Sequence, residues 1–317
     1  MKKILRCGLV QSVVIVMLFF CLPAYGAQKI SIMLDWFPNI DHLPLYVAQE
    51  EGFFAEEGLT VEMLSPSATT DALKLAASNN VDLAVSYAPQ SIMGASEGLK
   101  IKVVGRLVEH PLSVLLFLGN KGIVKPGDLD GKVIGYTVPG MMDILLKAFA
   151  DLNGVSRYEP VNVGFAIVQS LVSNKVDAIM GPYKNYETVE LEERGYEARY
   201  FELAEWGIPD YDELVFISGE GTLREKGDAL RGFSRAVQRA IKTAKADPDR
   251  ALKTYFDALP EAPKALEEKA FRITLPLYAS TQTHDVRRWQ DFADFAFTHG
   301  LIVRKVNARE MLLDAGE

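Results

Sequence analysis

Ile30-Ser31-Ile32-Met33-Leu34-Asp35-Trp36-Phe37-Pro38-Asn39 is the stretch on which the fold turns. Its first five residues read as a buried strand, and its last five crowd an acid, two aromatics and an amide at the strand's end. The pattern continues outward. A helix is expected from Leu43 to Glu50, a turn at Gly52-Phe53-Phe54-Ala55-Glu56-Glu57-Gly58, and a second strand from Thr60 to Leu64. The next helix starts near Thr70-Asp71, residue types that cap first-turn amides, and runs to about Asn79. Val81-Asp82-Leu83-Ala84-Val85 is a further strand. Strands alternating with amphipathic helices at this spacing predict an α/β fold with a mostly parallel sheet covered on both faces. Ligands of such sheets sit beyond the C-terminal strand ends. Asp35-Trp36, His42 and Ser86-Tyr87 are therefore expected on one rim.

The chain echoes itself. Ser78-Asn79-Asn80-Val81-Asp82 leads through a strand to Ser86-Tyr87, and Ser173-Asn174-Lys175-Val176-Asp177 leads through another to Pro182-Tyr183. Each follows an apolar helix. The reading is one supersecondary unit used twice, once per lobe, with each copy delivering a tyrosine to a shared cleft. Two apolar runs, Pro111 to Leu118 and Leu214 to Ile217, are expected to be the hinge strands. Lobe one is then discontinuous, 27–117 plus 216–317, and lobe two spans 118–215. From Leu223 onward the tail reads as helical, including Asp228 to Ala246, Asp249 to Ala258 and Val286 to Phe297, and such helices would buttress a lobe without carrying chemistry.

The first residues bear on compartment. Met1-Lys2-Lys3-Ile4-Leu5-Arg6 is basic, and Cys7 to Leu22 is apolar except for Gln11 and Ser12. Pro23 ends the run, and Ala24-Tyr25-Gly26 offers small residues to a signal peptidase. A cleaved signal peptide over 1–26 and a periplasmic destination are expected. The unbroken apolar part, Val13 to Leu22, is ten residues, too short to cross a bilayer, and a lipoprotein signal fits poorly because Cys21 follows Leu18-Phe19-Phe20. No later segment is long and apolar enough to span, so no stable membrane insertion is expected. Both cysteines fall in the leader, leaving the remainder without a disulfide framework, a cysteine nucleophile or a thiolate metal site. About 290 residues suffice for a core without them. Removing Lys2, Lys3 and Arg6 moves the formal net charge from −8 to −11, which argues against nucleic acid and anionic membranes. A monomer is expected.

Searches for chemistry return little. There is no phosphate loop or dinucleotide fingerprint. His42, His110, His284 and His299 never fall at metal-ligand spacing, so neither cofactor nor metal is expected. Polar and aromatic residues do gather at strand ends. Besides Asp35, Trp36 and Asn39, Tyr183-Lys184-Asn185-Tyr186-Glu187 follows the lobe-two strand, and Gly207-Ile208-Pro209-Asp210-Tyr211-Asp212-Glu213 precedes the return hinge. Aromatic faces stack on flat heterocycles, and a buried carboxylate or amide pairs with ring nitrogens and an exocyclic amine. Any one of these aromatics reads equally well as core packing; their joint placement on one rim favours binding.

With these residues in view, Leu34 to Asn39 with His42, Tyr46-Val47-Ala48, Gly52-Phe53-Phe54 and Gly58-Leu59 resemble the opening of bacterial thiamin pyrimidine precursor-binding proteins, the ThiY-like family. Val81 to Tyr87, His110-Pro111-Leu112, Asp128 to Tyr136 and Pro209 to Leu214 extend the resemblance over roughly 30–220. It implies a two-lobed type II periplasmic binding protein fold and a substrate-binding role beside the permease and ATPase of an ABC importer. The implied ligand is a formylated aminomethylpyrimidine for thiamin salvage; relatives bind riboflavin, sulfonates and other small molecules. On that resemblance Trp36 and Tyr183 or Tyr211 would sandwich the ring, Glu187 would accept from its amino edge, and Asn39 and Asp35 would fix other polar atoms. His42, Ser86, Tyr87, Pro111 and Asn185 complete the expected ligand-binding set. The pyrimidine synthases of the same superfamily bear a pyridoxal phosphate lysine, a histidine four residues later and a cysteine-rich run. Ser86, Gln90 and the cysteine-free Pro209 to Glu213 stand at those places, so an enzyme is not expected.

Overall fold

The computed structural model of the chain describes residues 27–313. The leader expected at 1–26, with Cys7 and Cys21, lies outside the described residues. Ten strands are seen among those described: β1 (Gln28–Met33), β2 (Leu59–Leu64), β3 (Leu83–Ser86), β4 (Ile101–Val108), β5 (Ser113–Leu118), β6 (Lys132–Tyr136), β7 (Tyr158–Asn162), β8 (Ala178–Tyr183), β9 (Ala198–Glu202) and β10 (Leu214–Gly219). They form two five-stranded sheets, ordered β2-β1-β3-β10-β4 and β7-β6-β8-β5-β9. β1 runs parallel to β2 and β3, and β6 runs parallel to β7 and β8. β10 is antiparallel to both its neighbours, and so is β5. Helices cover both sheets, giving two α/β lobes.

The strands form where the sequence allows burial on both faces. β3, β5 and β10 are buried at every position, as strands in the middle of a covered sheet must be. The helix expected from Leu43 to Glu50 is observed with those limits. Asp71 does not cap its own helix as expected; its carboxylate accepts the Ser67 and Ala68 amides at 2.9 and 2.7 Å and shapes the preceding turn.

The lobe boundaries differ from those expected. β5, whose residues up to 117 were assigned to lobe one, pairs on both edges with second-sheet strands β8 and β9. Leu214 and Val215, assigned to lobe two, belong to the first sheet. The chain therefore crosses at 109–112 and again at 207–213. An apolar run announces a buried strand without saying which sheet receives it.

The repeat is built identically in both lobes. Asn79 and Asn174 take left-handed conformations, φ 57° and 56°. Asp82 then accepts the Ser31 amide of β1 at 2.9 Å, and Asp177 accepts the Val133 amide of β6 at 3.1 Å. A lysine holds each acid, Lys226 at 2.7 Å and Lys121 at 3.1 Å. The tail carries helices Glu220–Ala246, Pro248–Ala258, Lys264–Thr274 and Val286–Thr298. The third was not among the stretches singled out in the helical tail, and it faces the other lobe.

Candidate functional site

The cleft lies between the C-terminal ends of the two sheets, with about 490 Å³ of space between its walls, part of it open to solvent. Lobe one lines it with Asp35, Trp36, Asn39, Asp41 and His42 from the turn after β1, Tyr87 after β3, and Leu214. Lobe two contributes Thr137, Val138, Met142, Ile167, Gly181, Tyr183, Tyr186 and Glu187. Gly181 is required as glycine: its φ is 107°, and an added Cβ would meet Thr137 Oγ1 at 2.3 Å.

The lobe-one wall is pre-organised. His42, fully buried, meets Asp35 Oδ1 at 2.9 Å through Nε2. The Asn39 amide approaches Nδ1 at 3.4 Å, so the hydrogen-bond pattern makes Nδ1 the acceptor and Nε2 the donor. Tyr87 donates to Asp35 Oδ2 at 2.8 Å. Both oxygens of Asp35 thus already serve the wall. Asn39 Oδ1 accepts the Asp41 amide at 2.9 Å, and its Nδ2 donates to the Phe37 carbonyl at 3.1 Å. Trp36 meets Phe165 of lobe two edge-on, with ring centroids 4.5 Å apart.

The lobe-two wall centres on Glu187, the first residue of the short helix Glu187–Glu193. Its Oε2 accepts the Tyr183 amide at 2.7 Å. Burial nonetheless pushes the carboxyl up to about 8, against the pull of that amide. At neutral pH the group is therefore held mostly as the neutral acid, with a donor as well as an acceptor. Burial likewise raises Asp41 to about 6 and Glu267 to about 7.

Seven of the expected ligand residues line the cleft: Asp35, Trp36, Asn39, His42, Tyr87, Tyr183 and Glu187. Four are not among the lining residues. Ser86 is buried beneath the rim, with Oγ donating to Gln90 at 2.9 Å. Pro111 is half-buried in the first crossing segment. Tyr211 is buried in the second and packs edge-on against Phe292, 5.5 Å between centroids. Asn185 is buried between the lobes, where Nδ2 reaches Asp41 Oδ1 at 2.7 Å and Thr274 Oγ1 at 2.6 Å. Sequence reasoning missed Asp41, Thr137, Val138, Met142, Ile167, Gly181, Tyr186 and Leu214. Tyr186 and Leu214 sit inside segments already singled out and Asp41 lies between Asn39 and His42, which is the one signal that could have found them.

The crossings are tied together. Glu213 accepts the Leu112 and Ser113 amides at 2.7 and 2.8 Å, and burial pushes its carboxyl up to about 7. Asp212, fully buried, takes Arg106 Nη1 at 3.1 Å, Trp289 Nε1 at 2.6 Å and Arg288. Among the described residues no group of acids, histidines or cysteines is placed to hold a metal ion, and no helix is long and apolar enough to cross a membrane.

A family model described as NMT1/THI5 like matches residues 39–251. A Haemophilus influenzae protein named for thiamine biosynthesis is 35% identical, with 94% of this chain and 95% of that protein covered. A formylaminopyrimidine-binding protein of Halalkalibacterium halodurans is 34% identical, with 89% of each covered. A 4-amino-5-hydroxymethyl-2-methylpyrimidine phosphate synthase of Legionella pneumophila is 27% identical over 83% of this chain and 84% of that protein. Among solved structures, the alkanesulfonate-binding protein of Xanthomonas axonopodis pv. citri superposes with a TM-score of 0.72 at 16% identity, covering 92% of this chain and 99% of that one. The periplasmic aliphatic sulphonate-binding protein of Escherichia coli gives 0.71 at 14%, covering 90% and 92%. At such identities the likeness is one of fold: the lobes and crossings are those of a periplasmic binding protein.

Proposed function

This chain belongs to the NMT1/THI5-like family, and from that premise we propose that it is an exported solute-binding protein whose cargo is a thiamin pyrimidine precursor. The cargo is N-formyl-4-amino-5-aminomethyl-2-methylpyrimidine or a close relative, handed to an ABC permease and its ATPase. The observation that carries this reading is that Trp36 and Tyr183, from opposite lobes, both line a cleft that also presents the buried carboxyl of Glu187. Two aromatic walls suit a flat heterocycle. A carboxyl held neutral offers one acceptor and one donor, the complement of an exocyclic amine beside a ring nitrogen. Asn39 and Asp35 stand at the edge of the same space, and the name of the Halalkalibacterium relative points the same way.

A sulfonate is the poorer match, although the solved neighbours of this fold include sulfonate-binding proteins. No arginine or lysine is among the described residues that line the cleft, whereas Asp35, Asp41 and Glu187 all are. A carrier needs closure and release, not turnover, and no catalytic role is proposed for any residue.

Calorimetric titration of residues 27–317 with formylaminopyrimidine, hydroxymethylpyrimidine, thiamin, riboflavin and taurine tests the reading. One-to-one binding of the first without turnover is expected. Glu187→Ala should weaken it by about tenfold or more, because the ligand's amino edge is then left unpaired in a buried site. Silence from every pyrimidine, with binding of another compound, would overturn the cargo.

A further inference from the structure

Asp41 sits where the cleft and the lobe interface meet. It lies in the single turn Ile40–His42, is 1% exposed, and lines the cleft. Its Oδ1 is held twice: Asn185 of lobe two donates through Nδ2 at 2.7 Å, and Thr274 Oγ1 stands at 2.9 Å. Asn185 also reaches Thr274 Oγ1 at 2.6 Å. One side chain of lobe two is thus plugged into a socket made by two residues of lobe one. The same seam joins Tyr186 to Glu267 at 3.3 Å and Glu193 to Lys269 at 2.8 Å. The other carboxyl oxygen, Asp41 Oδ2, is buried and has no hydrogen-bond partner among the described residues.

A buried carboxylate oxygen left without a donor is costly, and a site that carries one rewards whatever brings the donor. We infer that Asp41 is a further ligand-binding residue: Oδ2 accepts an N–H of the bound molecule while Oδ1 holds the latch to Asn185, so filling the cleft and locking the lobes become one event. The inference rests on the aminopyrimidine reading above and sharpens it. The cargo must carry an N–H donor beyond the edge read by Glu187, and the formylated precursor has both an exocyclic amine and an amide N–H. Asn185 is then a positioning residue that acts through Asp41.

The test pairs protein variants with ligand deletions. Formylaminopyrimidine and two analogues, one lacking the exocyclic amine and one methylated on the amide nitrogen, are titrated into the wild type, Asp41→Asn and Asn185→Ala. The wild type should bind both analogues about tenfold more weakly than the parent, the one without the amine through the lost Glu187 contact and the N-methylated one through the lost Asp41 contact. Asp41→Asn should lose about the same factor on the parent and nothing further on the N-methylated analogue. Asn185→Ala should weaken the parent and the analogue without the amine by a common factor and leave the N-methylated analogue unchanged. Parent binding by Asp41→Asn equal to wild type, or an equal loss on every ligand, overturns the inference and leaves the aminopyrimidine reading standing. A wild type that binds none of the three overturns that reading and this inference together. Solution scattering needs no Asp41 variant. The parent should compact the wild type, and the saturating N-methylated analogue should not; equal compaction overturns the inference.

Discussion

Glu187 and Asp41 face one cleft with carboxyls that keep their protons above the usual carboxylate range, to about 8 and about 6, because burial disfavours the charged form. A raised folded-state value means that the folded protein binds more protons than the unfolded chain between the two values. Stability then falls as pH rises through that window, by up to about 1.4 kcal/mol per pH unit for each such group. The ligand-free protein should therefore melt at lower temperature at pH 8 than at pH 5, and Glu187→Gln should flatten the upper part of that slope. Glu187→Gln keeps a donor and an acceptor, so it should retain affinity within about tenfold and abolish the loss of affinity expected above pH 8. Flat wild-type affinity from pH 6 to 9 would show that the neutral acid is not the binding form. The sequence led to Asp35, Trp36, Tyr87 and Tyr183 because strand ends are legible and parallel sheets place their ends together. It did not lead to Asp41, since an acid in a polar turn reads as solvated until the other lobe covers it. Tyr211 misled for the opposite reason: its neighbours are polar, but the helix Val286–Thr298 buries it.

Among the elements, the two crossings carry the mechanics. Asp212 gathers Arg106 from β4 with Arg288 and Trp289 from the helix Val286–Thr298, so a crossing, a sheet strand and the tail meet on one buried carboxylate. Asp212→Asn removes the carboxylate that both guanidinium groups share, leaving Arg106 to Glu109 at 3.4 Å and Arg288 to Asp210 at 3.0 Å, and should cost about 1.5–3 kcal/mol in urea unfolding. A cost below about 1 kcal/mol would mean that solvent already screens the cluster. Alternation of strands and helices was plain in the sequence, but the two apolar runs read as hinges are the in-sheet strands β5 and β10, and the crossings precede them. The helix Lys264–Thr274 was not singled out, although Leu266, Ala270, Phe271 and Thr274 are all buried at helical spacing. Pro260 and Pro263 punctuate its approach, and its partner, the segment from Asn185 to Glu193, is distant in sequence. An interface between lobes has no local period to betray it.

Taken whole, the molecule is closed around its cleft by contacts of two kinds. The polar seam of Asn185, Tyr186 and Glu193 lies on one side, and an aromatic cluster lies on another, where Phe165 meets Trp36 at 4.5 Å and Phe37 at 4.8 Å. Aromatic pairs of this geometry are worth about 0.5–1.5 kcal/mol, and both exist only while the lobes are together. Phe165→Ala should therefore speed ligand dissociation by about three- to tenfold while leaving association nearly unchanged. Stopped-flow fluorescence of Trp36 would follow both rates, and a change confined to association would refute the assignment of this contact to the closed form.

The strand orders bear on ancestry. β1 to β5 and β6 to β10 trace the same path, and each run of five sends its last strand into the sheet of the other. The asparagine, aspartate and lysine device recurs at matching places in both runs. Cut between β5 and β6, the connectivity is that of two copies of one half-length chain that have traded a terminal arm, as swapped dimers do. The crossings would then be older than the single chain: an exchange that once joined two equals became, after fusion of their genes, the axle on which a receptor opens and shuts.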